Sequence, residues 1–206
     1  MTTILVTGFG PFPGAPFNPT QALVYKLARL RRPLLAGITI VPHVFPTSYA
    51  AVDRELPKLI AKHKPDAFLM FGLAARRRCL RIETRARNAR ALMADASRTK
   101  PHSRAIAAGE PAALAIPSPA RRLLGAVRAA RLPAVLSADA GHYLCNYLCW
   151  QATIAARDGP RIVAFVHVPL IGRNPRRRGK SRGFTLNGLV RAGSRLLVEI
   201  AAAARR

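Results

Sequence analysis

A chain of 206 residues, half of them hydrophobic, has room for a sizeable core and argues against disorder. No apolar run approaches the roughly 18 residues of a membrane span, and three cysteines in a chain this long exclude a disulfide framework. The 34 Lys and Arg against 9 Asp and Glu give a formal net charge of +25, which would attract nucleic acid or acidic surfaces through bulk electrostatics alone.

The first segment, MTTILVTGFG, lacks a basic leader region and enters a strand-like run at 4–8. We therefore expect no signal peptide and a reducing, cytoplasmic setting. The following loop, VTGFGPFPGAPFNPT, places glycines at 8, 10 and 14. That spacing, with Pro11 and Pro13 removing N–H donors, speaks against a dinucleotide phosphate loop. What the loop does offer is Phe9, Phe12 and Phe17, which either wall a flat apolar pocket or pack in the core. Asn18, Pro19 and Gln21 read as the start of a helix over 18–30.

Further strands are predicted over 38–45, 67–72, 79–83, 134–138 and 162–168. Helices are predicted over 48–63, 118–130, 143–158 and 185–206, the first of which Pro57 should kink or split. The stretch 89–117, rich in Ala, Pro and Ser, reads as irregular surface structure. Apolar strands alternating with helices predict an α/β fold, with a mostly parallel sheet covered on both faces. With no repeat and no linker, we expect one domain over 1–206. The basic residues are mostly Arg and are spread along the chain. Their main cluster, GRNPRRRGKSRG at 172–183, has no interleaved aromatic residues to stack bases, so a solvated surface is the simpler account. It begins five residues after His167, at the rim of any site there, either to steer acidic substrates or merely to solubilise.

Ligands of open α/β sheets lie beyond the carboxyl ends of the strands, which directs attention to the places where apolar runs stop. Cys145 follows the turn Asp139–Ala140–Gly141, in the first turns of a helix. There unpaired N–H groups and the positive dipole end favour the thiolate. A buried structural thiol is the alternative, and it describes Cys149 well. His142, Cys145 and Cys149 fall near one helical face. Structural metal sites, however, draw paired short spacings from separate elements, and no C-x-x-C occurs. A cysteine nucleophile needs a base. Of His43, His63, His102, His142 and His167, the last ends the most apolar strand, where an imidazole is costly to bury unpartnered. Glu83 is the acid best placed to orient it, with a surface ion pair as the alternative.

In chain order, VTGFGPF…NPT, FGLA…IETRARN, SADAGHYLCNYL and FVHVPL resemble the pyroglutamyl peptidase I family of cysteine peptidases, over essentially the whole chain. The resemblance implies a three-layer α/β/α sandwich that removes an N-terminal pyroglutamyl group from peptides through an acyl-enzyme. It implies a triad of Cys145, His167 and Glu83, and a substrate pocket with Phe9, Phe12 and Leu144. It implies no metal or organic cofactor, no membrane, and a homo-oligomer, dimer or tetramer. Departures mark a divergent member. Leu73, Ala74, Ala75, Arg76 and Arg77 stand where the family has a polar residue and Gly-Gly-Arg. Leu92 or Met93 aligns with an arginine near the oxyanion site, leaving Arg87 and Arg90 as other sources of that cation. Two further readings are a triad-retaining amidohydrolase for another lactam or acyl-amine, and a non-catalytic, basic nucleic-acid-binding descendant.

Overall fold

The computed structural model describes residues 1–12, 15–159, 162–172 and 184–205. The basic segment expected at the rim of the site lies, apart from Gly172, outside the described residues. The strands are β1 (Thr2–Phe9), β2 (Ile38–Phe45), β3 (Ala67–Leu73), β4 (Leu80–Glu83), β5 (Arg85–Arg87), β6 (Ala113–Ala115), β7 (Ala134–Ser137) and β8 (Ile162–Val168). The α-helices are α1 (Pro19–Ala28), α2 (Tyr49–His63), α3 (Ala120–Ala129), α4 (Leu144–Ala155) and α5 (Leu186–Ala204).

Six strands form one sheet in the order β2-β1-β3-β8-β4-β7. The first four are parallel; β4 pairs antiparallel with β8 and parallel with β7, so the last two run the other way. The two-residue period of the strands divides the core. Ile4, Val6, Leu69, Phe71 and Val166 pack with apolar residues of α1, α3 and α5 on one face. Leu5, Phe68, Met70 and Phe165 pack with those of α2 and α4 on the other. The result is the three-layer α/β/α sandwich expected from the sequence. Each fully buried Leu, Ile or Phe contributes roughly 1.5–3 kcal/mol, which is why the interleaved apolar strands set the layering. Among the described residues, no helix is long and apolar enough to cross a membrane.

Local chemistry explains the element ends. Asn18 caps α1 by accepting from Thr20 N at 3.1 Å, and its amide donates to Gly10 O at 3.1 Å, tying the phenylalanine loop to the helix. Thr20 Oγ1 in turn bonds both N and O of Phe9. Ser48 does not cap α2; Asp95, distant in sequence, accepts from Tyr49 N at 3.0 Å instead.

Two expectations are corrected. Of the kink or split expected at Pro57, the split does not occur: α2 runs unbroken from Tyr49 to His63. The proline is exposed, so the backbone bond it removes faces water, where the loss is mild. The stretch 89–117 is not purely irregular surface. It contains β6, paired antiparallel with β5, and buries Asp95 and Ile116. Its order comes from Asn88, whose Oδ1 accepts from Ile106 N and Ala107 N while its amide donates to Ala107 O and Glu110 O. Side-chain to backbone bonds of this kind leave no hydrophobic period to read.

Candidate active site

Cys145 is the second residue of α4. The N-cap, Tyr143, makes no side-chain capping bond, so the first-turn N–H groups of the helix remain available beside the thiol. The rest of the helix anchors it, with Tyr147, Leu148, Cys149 and Trp150 buried against the sheet. The thiol can sit close over β3 only because Gly72 lies beneath it. A Cβ there would lie 2.7 Å from Cys145 Sγ and 2.9 Å from the Phe165 ring.

His167 lies beside Gly72 in the parallel register of β3 and β8 and is 7% exposed. Its Nδ1 is 2.9 Å from Glu83 Oε1, and Cys145 lies close enough to the ring to strengthen its hold on a proton. With Nδ1 given to the carboxylate, Nε2 is the nitrogen left for the thiol. Burial acts to strip the imidazole of its proton, but the bonds and charges of Cys145 and Glu83 outweigh it and raise His167 to about 9. Glu83 is fully buried. Besides His167, the cation nearest to it among the described residues is Arg81, which places Nε 3.6 Å from Oε1. Cys149 is fully buried, and that burial, reinforced by the nearby Glu83 and Cys145, pushes its thiol up and keeps it protonated. Among the described residues, no group of three or more His, Cys, Asp or Glu side chains is placed to hold a metal ion.

The strand-end rule locates the site only in part. His167 stands near the carboxyl end of β8 as expected, but β4 and β7 run the opposite way. Glu83 reaches the imidazole through antiparallel pairing. Arg81 is directly opposite His167, and Glu83, two residues on, projects to the same face within diagonal reach. The connection after β7 must likewise return to the start of α4, which it does through the turn at Gly141, with φ of +81°.

Cys145 and His167 open into a cavity of about 180 Å³. Phe9, Phe12 and Leu144 line it, while Phe17 is not among its walls. Leu73, Asn18, Thr47 and the backbone-rich turn Ala140–Tyr143 complete it. Among the described residues, no arginine lines the cavity. Arg87 Nε lies 3.3 Å from Asp139 Oδ1, and Arg90 Nε donates to Ser103 O, so neither fills the place of Leu92 and Met93, which are exposed. The sequence reading also missed Asn146. It is fully buried beside Cys145, accepts from Arg87 N, and donates to Arg87 O and Ala89 O. A lone amide inside the apolar run YLCNYLCW was its signal, because a buried polar side chain must find partners.

The family model described as Pyroglutamyl peptidase matches residues 2–192. The chain belongs to the pyroglutamyl peptidase family. A pyrrolidone-carboxylate peptidase of Thermococcus kodakarensis is 34% identical over 169 residues, covering 81% of this chain and 80% of the relative. Pyrrolidone-carboxylate peptidase 1 of Ralstonia nicotianae is 34% identical over 179 residues, covering 83% and 80%. The crystal structure of Bacillus amyloliquefaciens pyroglutamyl peptidase I superposes with a TM-score of 0.85 at 28% identity, covering 98% of each chain. The Thermococcus litoralis pyrrolidone carboxyl peptidase superposes at 0.86 with 25% identity, covering 98% and 94%. Membership in the pyroglutamyl peptidase family at such identities matches a divergent member.

Proposed function

We propose that this chain is a cysteine peptidase that hydrolyses the amide bond following an N-terminal pyroglutamyl residue, with Cys145 as nucleophile, His167 as general base and acid, and Glu83 orienting the imidazole. The observation that carries it is the continuous contact Cys145–His167–Glu83, with Nδ1 to Oε1 at 2.9 Å, opening onto a small apolar cavity in a chain of this family. At about 180 Å³ the cavity is smaller than the ~300 Å³ at which pockets for drug-sized ligands begin, and it suits a five-membered lactam held between Phe9, Phe12, Leu73 and Leu144.

In this mechanism the thiol proton moves to His167 Nε2, and the thiolate adds to the pyroglutamyl carbonyl. The N–H groups at the start of α4 stabilise the oxyanion; among the described residues no arginine of the cavity wall assists them. The imidazolium gives its proton to the departing amine as the C–N bond breaks, and water then hydrolyses the thioester, deprotonated by the same imidazole. No cofactor is needed for any step. The test is cleavage of pyroglutamyl-7-amido-4-methylcoumarin: Cys145→Ala lowers the rate by at least about 10³-fold, and equal rates in the two proteins overturn the reading.

Leu73 favours attention to a second reading. An apolar wall there offers no hydrogen bond to a lactam, so another acyl-amine is the alternative substrate of the same machinery. A panel of N-acylated aminocoumarins separates the two. We further read the chain as a single domain in a reducing, cytoplasmic setting, which its three free cysteines support. We read it as a homo-oligomer, dimer or tetramer, whose contact with nucleic acid is limited to non-specific charge.

A further inference from the structure

Glu83 sits where a carboxylate is expensive. It is fully buried, one oxygen is bonded to His167, and the other, Oε2, has no hydrogen-bond partner among the described residues. While His167 is protonated, the imidazolium balances that charge. Once the imidazole has handed its proton to a leaving group, Glu83 would be left as a lone buried anion. Among the described residues, the one permanent cation beside it is Arg81, with Nε 3.6 Å from Glu83 Oε1. Arg81 is no drifting surface residue: it is 20% exposed, and its Nη2 donates to Ser137 Oγ at 2.6 Å. Ser137 itself is 5% exposed and pinned in β7, and its hydroxyl also meets the backbone of Asp139. In the sheet Arg81 stands directly opposite His167.

We propose that Arg81 is a positioning residue for the Cys145–His167–Glu83 set: a permanent counter-charge, anchored by Ser137, that keeps Glu83 ionised while the imidazole gives up its proton. The proposal rests on the hydrolase reading above. During acylation the proton leaves Nε2 for the amine nitrogen, which takes the electron pair of the breaking C–N bond. Arg81 lowers the cost of that transfer because Glu83 no longer depends on the imidazolium alone for its balance. It acts through Glu83 and touches no substrate: Arg81 is not among the residues lining the cavity.

Among the described residues, the groups facing His167 are few. From β4 come Glu83 and Arg81; from α4 come Cys145 and, buried behind it, Cys149; His142 lines the cavity; β3 presents only Gly72 and Leu73. Removing Arg81 therefore takes away the one fixed positive charge beside Glu83 among the described residues and makes the imidazole proton harder to lose.

Arg81→Met is expected to lower kcat roughly tenfold and to move the high-pH fall of kcat/KM upward by about 0.5 pH. Arg81→Lys brings that fall back toward wild type, and Ser137→Ala, which frees the guanidinium, shifts it the same way as Arg81→Met but less. A readout independent of turnover is the His167 imidazole titration by NMR in Cys145→Ser proteins with Arg81 or Met at that position. A higher midpoint without Arg81 supports the proposal. An unchanged or lower midpoint overturns it, whatever happens to the melting temperature. A shifted midpoint in a protein that cleaves no pyroglutamyl amide supports the role of Arg81 and removes the substrate assignment instead.

Discussion

His167 is the residue on which the pH behaviour turns. Burial lowers it, but Cys145 and Glu83 together raise it to about 9. In the proposed mechanism the protonated imidazole delivers a proton to the leaving amine; it is lost only as pH rises through about 9, and kcat/KM should fall there. Glu83→Gln removes one of the two raising partners, so the fall should move to lower pH and kcat should drop; a pH–rate profile of both proteins checks it. Linkage gives the stability counterpart. A folded value above the usual 6.5 means the contribution is fully present below about 6.5 and disappears as pH rises through about 9, so the melting temperature should decline across that window. Gly72 is the second sensitive residue. Gly72→Ala places a methyl 2.7 Å from Cys145 Sγ and 2.9 Å from the Phe165 ring. Overpacking of this kind costs about 1–3 kcal/mol, and the displaced thiol should lower kcat by about 10²-fold. Activity retained at wild-type level would show that the thiol reacts from another position.

Helix α4 does more than carry the thiol. Asn146 uses both its amide donors and its carbonyl on the backbone of Arg87 and Ala89, so the helix start and the segment after β5 hold each other. Ala91 N donates to His142 O, and Tyr143 Oη donates to Ala94 O at 3.0 Å, extending the same attachment to the cavity rim. Asn146→Ala leaves three backbone groups without partners and should cost about 3 kcal/mol, measured by urea unfolding. Because the cavity wall Ala140–Tyr143 rests on the released segment, KM should rise as well. A variant with lowered stability but unchanged KM would confine Asn146 to scaffolding.

Across the whole molecule the charge is unevenly placed. Of the nine acids, Glu199 alone lies on α1, α3 or α5, where it pairs with Arg122 at 2.7 Å. The same layer exposes Lys26, Arg29, Arg121, Arg128, Arg191 and Arg195. It covers the sheet face opposite α4 and Cys145. A fourfold change of Arg121, Arg128, Arg191 and Arg195 to Ser should therefore weaken heparin retention and reduce its salt dependence, since each phosphate- or sulfate-bound cation adds to the salt slope. Turnover of a neutral pyroglutamyl amide should stay the same; a loss of turnover would connect this layer to the site.

The residues of the proposed chemistry could be singled out in the sequence because each stands in a distinctive local context. Cys145 follows a turn into a helix, His167 ends an apolar strand, and Glu83 closes another; the bounds of β2 and β8 followed from apolar runs alone. The pairing of those three residues was not legible in spacing, because it depends on strand direction. Only six residues separate β3 from β4, too few for the crossover helix that a parallel strand needs, so the reversal of β4 did leave a trace in the sequence. Its consequence did not, since only the antiparallel register with β8 puts Arg81 opposite His167 and Glu83 within reach of it. The same holds for Asn88, Asn146 and Asp95. Each is an ordinary polar residue in sequence, and each acquires its role from backbone groups that only the folded chain brings near.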